Sequence, residues 1–417
     1  YSDNAGTSWT LAIGTASSNN SLWDLVQKPN DPTILYAVAS QATSNALLLY
    51  TSTNSGNSFT SKTVTYNSST LTCTGARLAV SVANNTYVYC VTLQSSGYPA
   101  VLRSTNSGST WSVTAVSTTQ SFGGDNTSTG LGMSSGQGYY DLDIAVSPLN
   151  VNQVIVGTTS TYRSGDGGFN FSPIGGYLGT FGHKIHPDLQ MIQCNGNDTY
   201  LASDGGVVYS NDFFGSNANV INKGLISSLY WGFGQGWDQD IVAGGRYHNG
   251  DAVLFESYGS GNSLAMGGGE DATGHVFHGK KNTVGFRDIG TYVVPDALSG
   301  TTLSSEFSNS LWPQDDYYGL FLSKLMIDPR YSNTYYLGNG NQLWKSVNSG
   351  LSYQTLHDFG SKVWRFDIAR SNPNVMYVCT QSNGIQKSND GGVTWNVLNM
   401  PLGVTFQYYH SDIAVNP

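Results

Sequence analysis

The chain has 417 residues, a net charge of −9 and only 11% charged residues, and it is rich in Gly, Ser, Thr, Asn and Tyr. The acidic balance and the lack of a basic patch argue against nucleic acid as a partner, and no run approaches the roughly 18 apolar residues of a membrane-spanning helix. The length admits one large repeat domain or two ordinary ones; low charge with many small polar residues suits turn-rich β structure facing an extracellular medium.

No secretory leader is visible, and the first residues already lie inside a repeated phrase, so the chain reads as mature or trimmed material from a longer secreted protein. The phrase is Ser, then Asp or Asn two residues on, Gly two further, then an aromatic. In chain order it is SDNAGTSW (Ser2–Trp9), STNSGNSF (Ser52–Phe59), STNSGSTW (Ser104–Trp111), SGDGGFNF (Ser164–Phe171), SVNSGLSY (Ser346–Tyr353) and SNDGGVTW (Ser388–Trp395). Repetition at intervals of tens of residues signals repeated supersecondary units. Each copy follows a strand-like run and precedes another, the pattern of a β-hairpin turned on Gly. The Asx side chain can accept backbone amides of its own turn, and Gly supplies the positive φ. The acidic position is Asp at Asp166 and Asp390 but Asn at Asn4, Asn54, Asn106 and Asn348. A proton donor or metal-binding carboxylate could not be exchanged for Asn in this way, whereas a hydrogen-bond acceptor could.

An innermost strand is marked by LVQKPNDP from Leu25, DIAVSPLN from Asp143, LMIDPRYS from Leu325 and FDIARSNP from Phe366, each followed by a second apolar strand. The phrase then links a third and a fourth. This template predicts four-stranded antiparallel units at about 24–65, 76–117, 142–177, 188–222, 229–268, 271–306, 323–359 and 365–400. The expected fold is all-β: one β-propeller over residues 1–417 with about eight blades, seven to nine being compatible. The N-terminal hairpin and the C-terminal SDIAVNP segment are expected to close the ring. Cys90 and Cys379 fall at equivalent positions of two buried strands; Cys73 could pair with Cys90, and Cys194 has no obvious partner.

The phrase resembles the Asp-box, or bacterial neuraminidase repeat, of sialidases, sortilin-type receptors, xyloglucan-cleaving hydrolases and secreted bacterial propellers. The resemblance implies a propeller and location outside the cell, with no particular activity. His186–Asp188 followed by Ser203–Gly206, and weaker matches through Asn222–Gln235, Val242–Val253 and Ala265–Gly274, are similar to secreted box-repeat proteins of the Bacteroidota type.

Between about 181 and 318 the phrase degenerates (SDGGVVYSNDFF, Ser203–Phe214) or vanishes, and five of the seven histidines lie there. Departures from a local rule are where sites tend to be found. In GHKIHPDLQ (Gly182–Gln190), His183, His186 and Asp188 are weak metal-ligand candidates. Pinning of the loop to backbone is the preferred role, since no fourth ligand is placed. In GGRYHNGD (Gly244–Asp251), Arg246, His248 and Asp251 could hold a sugar carboxylate or sulfate, or Arg246 could pair with Glu270 or Asp271. Trp237, Trp312 and Tyr317 are candidates for stacking on a sugar ring. Were the protein an enzyme, His183, His248, Glu270 and Asp271 would be its catalytic candidates, as a glycoside hydrolase or polysaccharide lyase. The absence of a three-arginine constellation and of two facing propellers argues against sialidase and xyloglucan-cleaving activity. The reading leans away from catalysis, towards a secreted or cell-surface propeller that binds an extracellular glycan or surface protein or forms part of an assembly, alongside further domains of a longer protein. No cofactor is expected, with a structural calcium ion left open.

Overall fold

The computed structural model describes the chain except for residues 14–19, 118–137, 139, 177–182, 226, 228–229, 237–239, 247–249, 260–261, 267–272, 277–283, 288–290, 295–325, 349–351, 401–412 and 417. Strands dominate the described residues, and the one helical element among them is a 3₁₀ turn at Glu256–Tyr258. The strands form seven four-stranded sheets and one three-stranded sheet, each a meander of sequence-consecutive antiparallel strands, together with a small hairpin at Thr65–Thr70. These are β-propeller blades, spanning 21–62, 75–116, 143–175, 189–220, 230–266, 273–294, 326–358 and 363–397. The expected boundaries hold to within about three residues. The exception is the sixth blade, where 295–306 of the expected span lie outside the described residues.

The chain divides into two compact units, 1–225 and 226–417. In the first, the innermost strands Ser21–Gln27, Gly75–Val80, Asp143–Val146 and Leu189–Asn195 lie successively against one another. The apolar seams run between blades because the central strands are buried on both faces and read as near-continuous hydrophobic runs, as at Val88–Leu93. Tyr89, Val101, Ile144 and Tyr162 join the second blade to the third. Ile155, Ile185, Leu201 and Phe214 join the third to the fourth. In the second unit, Val253 and Val284 share one seam, and Tyr336, Phe366 and Val378 another. Cys90 and Cys379 are both buried in second strands, and all four cysteines are free thiols.

Carboxylates on the innermost strands fasten neighbouring segments. Asp24 accepts the Leu25 amide on Oδ1 and the Leu78 amide of the next blade on Oδ2 (2.8 Å each). Asp143 repeats this with Ile144 (2.9 Å) and Ile192 (2.6 Å). Asp367 takes Ile368 (2.9 Å) and, within the C-terminal segment, Val415 (2.7 Å). Burial pushes the Asp143 carboxyl up to about 6, against the pull of those amides and of the Arg77 charge.

The repeated phrase forms one hydrogen-bonded device. In the second blade the Ser104 hydroxyl donates to Asn106 Oδ1 (3.0 Å) and accepts the Gly108 amide (2.9 Å); Asn106 Oδ1 also accepts the Thr110 amide (2.9 Å). Asn106 Nδ2 then donates to Thr110 Oγ1 (2.8 Å). Where Asp replaces Asn this last bond reverses: the Thr394 hydroxyl donates to Asp390 Oδ2 (2.6 Å). The turn therefore works with either residue, since a hydroxyl both donates and accepts. Its third and fourth positions after Ser are left-handed, as at Ser107 (φ 56°) and Gly108 (φ 77°).

One copy departs from expectation. The SDGG of Ser203–Gly206 is the tight hairpin between the second and third strands of the fourth blade, with Ser203 paired to Gly206. The device itself begins at Ser210, whose hydroxyl donates to Asp212 Oδ1 (2.8 Å) and accepts the Phe214 amide (2.8 Å). Hydrogen bonds led by the Ser216 hydroxyl hold the Asp212 carboxyl at about 2, overcoming the upward push of burial. Here Phe213 (φ 55°) and Phe214 (φ 56°) occupy the left-handed positions. For bulky residues this is a strained conformation, costing on the order of 1–2 kcal/mol each. Burial of both rings in the seam offsets that strain.

Candidate functional site

Two features converge at the junction of the third and fourth blades. The first is the loop entering Leu189–Asn195. The Asp188 amide donates to the Thr159 carbonyl (3.1 Å) and the Leu189 amide to that of Thr158 (2.8 Å), clipping the loop to the third blade. Asp188 is left-handed (φ 65°) and buried, and its carbonyl accepts the Asp204 amide (3.3 Å). Gly205 is required there, because a Cβ would run into His186. His186–Asp188 and the SDGG hairpin, noted separately in the sequence, are thus neighbours.

Asp141, just before the third blade, completes the group. It is fully buried; Gln190 Nε2 donates to its Oδ1 (2.9 Å) and to Asp204 Oδ1 (3.2 Å), while no donor among the described residues meets Asp141 Oδ2. Burial, then the negative charges of Asp188 and Asp204, push the Asp141 carboxyl up to about 7. The Tyr140 phenol is raised by burial and by the same carboxylates. A group titrating near neutrality has the affinity of a general acid, but Asp141 has no exposed surface through which to meet a substrate. Among the described residues, no three His, Cys, Asp or Glu side chains are grouped as a metal ion requires.

The second feature is an open cleft of about 480 Å³ on the Ser164-turn side of the same junction, walled by Arg163, Asp166, Asn170, His183 and Phe214. Arg163 Nε donates to the Phe213 carbonyl (2.8 Å) and His183 Nε2 contacts that of Phe214 (3.2 Å). The strained turn thus offers two successive carbonyls to two side chains of the third blade and its outgoing loop. Arg103 makes the equivalent bond one junction earlier, to the Gly167 carbonyl (3.3 Å), with its guanidinium 4.8 Å from the centre of the Phe169 ring. Burial works to raise the Asp166 carboxyl, yet bonds from Asn170, Ser164 and Phe169 keep it below the usual carboxylate range.

Of the residues singled out from sequence, His183, half-buried, meets the Phe214 carbonyl. His186 lies 3.0 Å from the Pro187 carbonyl through Nδ1, and Asp188 belongs to the buried acid group. The structure brings His183 and Asp166 to one cleft. Arg246 and Asp251 fall on adjacent strands of the fifth blade, where Arg246 pairs with Gly250 and Asp251 with Gly245. Trp237, His248, Glu270, Asp271, Trp312 and Tyr317 lie outside the described residues. Asn4, Asn54, Asn106, Asp166, Asn348 and Asp390 each accept the backbone amide that closes their own turn. Sequence reasoning missed Asp141, Gln190 and Arg163. A usable signal for the last was present: a basic residue precedes the turn serine at Arg103, Arg163, Lys345 and Lys387.

No known protein family matches the chain, and no curated protein matches it. Similar solved structures include a GH74 enzyme of Niastella koreensis, 15% identical, covering 90% of this chain and 78% of that one with a TM-score of 0.40. YCF48 bound to a D1 peptide is 12% identical, with 92% and 95% coverage and a TM-score of 0.28. PorZ, a surface component of the type-IX secretion system of Porphyromonas gingivalis, is 11% identical, with 77% and 38% coverage and a TM-score of 0.28. The propeller assignment rests on the chain's own strand order.

Proposed function

We propose that this chain is a secreted or cell-surface propeller that binds a glycan or a surface protein within an extracellular assembly, and is not a catalyst. The observation that carries the reading is the division of labour at the third junction. Asp141, whose carboxyl keeps its proton up to about 7, is sealed from solvent, while the accessible cleft is walled by a carboxylate held below the usual range. Proton transfer to a substrate needs an acid within hydrogen-bond reach; binding needs only fixed donors and acceptors on an open surface. Low charge and an acidic balance support an extracellular partner over nucleic acid. No helix among the described residues is long and apolar enough to cross a membrane.

The test pairs a polysaccharide panel assayed for new reducing ends and unsaturated products with a glycan and surface-protein binding array. Binding without turnover is expected. Turnover that disappears in His248→Ala or Asp271→Asn while the fold is intact would replace this reading with a carbohydrate-active enzyme acting through the 181–318 region.

A further inference from the structure

We propose that the cleft between the third and fourth blades binds a neutral saccharide by bridging its adjacent hydroxyls between Arg163 and Asp166. The proposal rests on the glycan-binding reading above and gives it a place and a ligand class. Four observations lead to it.

Arg163 is anchored through Nε alone, and its terminal nitrogens have no hydrogen-bond partner among the described residues, so a fixed pair of N–H donors faces the cleft. Asp166 lines the same cleft; its Oδ1 is saturated by Ser164, Phe169 and Asn170, but among the described residues Oδ2 accepts only Asn170 Nδ2 (2.7 Å). A carboxylate oxygen has room for a further donor. His183 Nε2 must carry its proton to meet the Phe214 carbonyl, which leaves Nδ1 as an acceptor in the neutral imidazole. The volume of about 480 Å³ lies within the range of small-molecule sites, roughly 300–1,000 Å³.

The pairing of a cation with a carboxylate along one cleft selects the ligand. An anion would meet the Arg163 fork but also the ionised Asp166; a cation would meet the reverse. A hydroxyl both donates and accepts, so adjacent hydroxyls on one ring satisfy both side chains without adding a net charge to the cleft. Pro173 and Ile174 line the cleft too and offer carbon surface to the apolar face of a sugar ring. The strained turn has a role here. Phe213 and Phe214 hold the carbonyls that orient Arg163 and His183, the kind of constraint that accompanies ligand sites.

The chain supplies its own control for the test. Four copies of the turn are built on Asn, so Asp166→Asn keeps the fastener, with the Asn170 amide reversing, while removing the charge from the cleft. The purified chain would be titrated calorimetrically with neutral oligosaccharides (cello-, xylo- and manno-series) and with oligouronates. The parent, Asp166→Asn and His183→Gln would be compared, with thermal midpoints checked alongside. Binding of a neutral series that weakens about ten- to hundredfold in Asp166→Asn at unchanged midpoint supports the assignment. Neutral binding unaffected by both substitutions overturns the cleft and leaves the glycan-binding reading standing. Oligouronate binding that strengthens in Asp166→Asn, with no neutral binding, overturns it in favour of an anion site. No binding of any saccharide removes the glycan reading and this site with it.

Discussion

Asp141→Asn isolates the buried acid group in a single measurement. The parent carboxyl is fully buried and holds its proton up to about 7, against an ordinary 3.8. At 1.36 kcal/mol per pH unit, the folded state therefore loses about 4 kcal/mol at most as that proton leaves. The sign follows from the raised value. Between about pH 4 and 7 the folded protein binds a proton that the unfolded chain has released, so this contribution falls as pH rises and is flat above about 7. Asparagine keeps the bond to Gln190 and never ionises. Parent and variant should therefore unfold alike near pH 4, with the variant progressively more stable up to about pH 7 and by a constant margin from there to pH 8. For a unit of 225 residues, roughly 2–4 °C per kcal/mol makes the largest difference on the order of 10 °C. Thermal scans followed by tryptophan fluorescence at half-unit pH steps would read it. A difference independent of pH between 4 and 8, or a less stable variant at pH 8, would refute the raised proton affinity of Asp141.

Other expectations test the fasteners. Ser104→Ala strands the buried Gly108 amide and should lower unfolding free energy by about 1–3 kcal/mol in denaturant titrations. Gly108→Ala should cost about 2 kcal/mol or more, because φ is +77° and the new Cβ meets Thr51 Oγ1 at 2.7 Å. Gly340→Ala, at φ +54° with open space around it, should cost only about 1 kcal/mol. Asp390→Asn should leave the thermal midpoint unchanged at pH 7. Hydrogen bonds led by the Thr394 hydroxyl hold Asp390 at about 2, so its contribution is present above about pH 4 and lost as pH falls towards 2. The variant should therefore outlast the parent in acid scans.

The blades were legible because each reports itself several times over. At Val88–Leu93 a run buried on both faces, a Pro- or Asn-marked first turn and a Ser-x-Asx-x-Gly second turn all point to the same meander. The fourth-blade turn read only as a degenerate copy within Ser203–Phe214 because Gly, the expected left-handed residue, is replaced there by Phe213–Phe214. Only the seam that buries those rings makes that replacement tolerable. The candidate site was half legible. His186, Asp188 and the SDGG hairpin stood out as a pattern, but Asp141 reaches them from 47 residues upstream of Asp188. Its altered proton affinity comes from burial and from neighbours that only the fold supplies. Arg163 was overlooked for a related reason, since its anchor is the Phe213 carbonyl of the next blade.

The interchangeability of Asn and Asp in the turns bears on how the molecule ages. Hydrolysis of an exposed asparagine amide to a carboxylate is a common chemical lesion of long-lived proteins, and in most settings it introduces a charge with no counterpart. Where the product at Asn54 or Asn106 is ordinary aspartate rather than its backbone-lengthened isomer, it is the side chain already used at Asp166, Asp212 and Asp390. The neighbouring hydroxyl turns its proton around and the hairpin stays closed. A protein fastened this way carries its own tolerance to one of the slow reactions that accumulate in long-lived proteins.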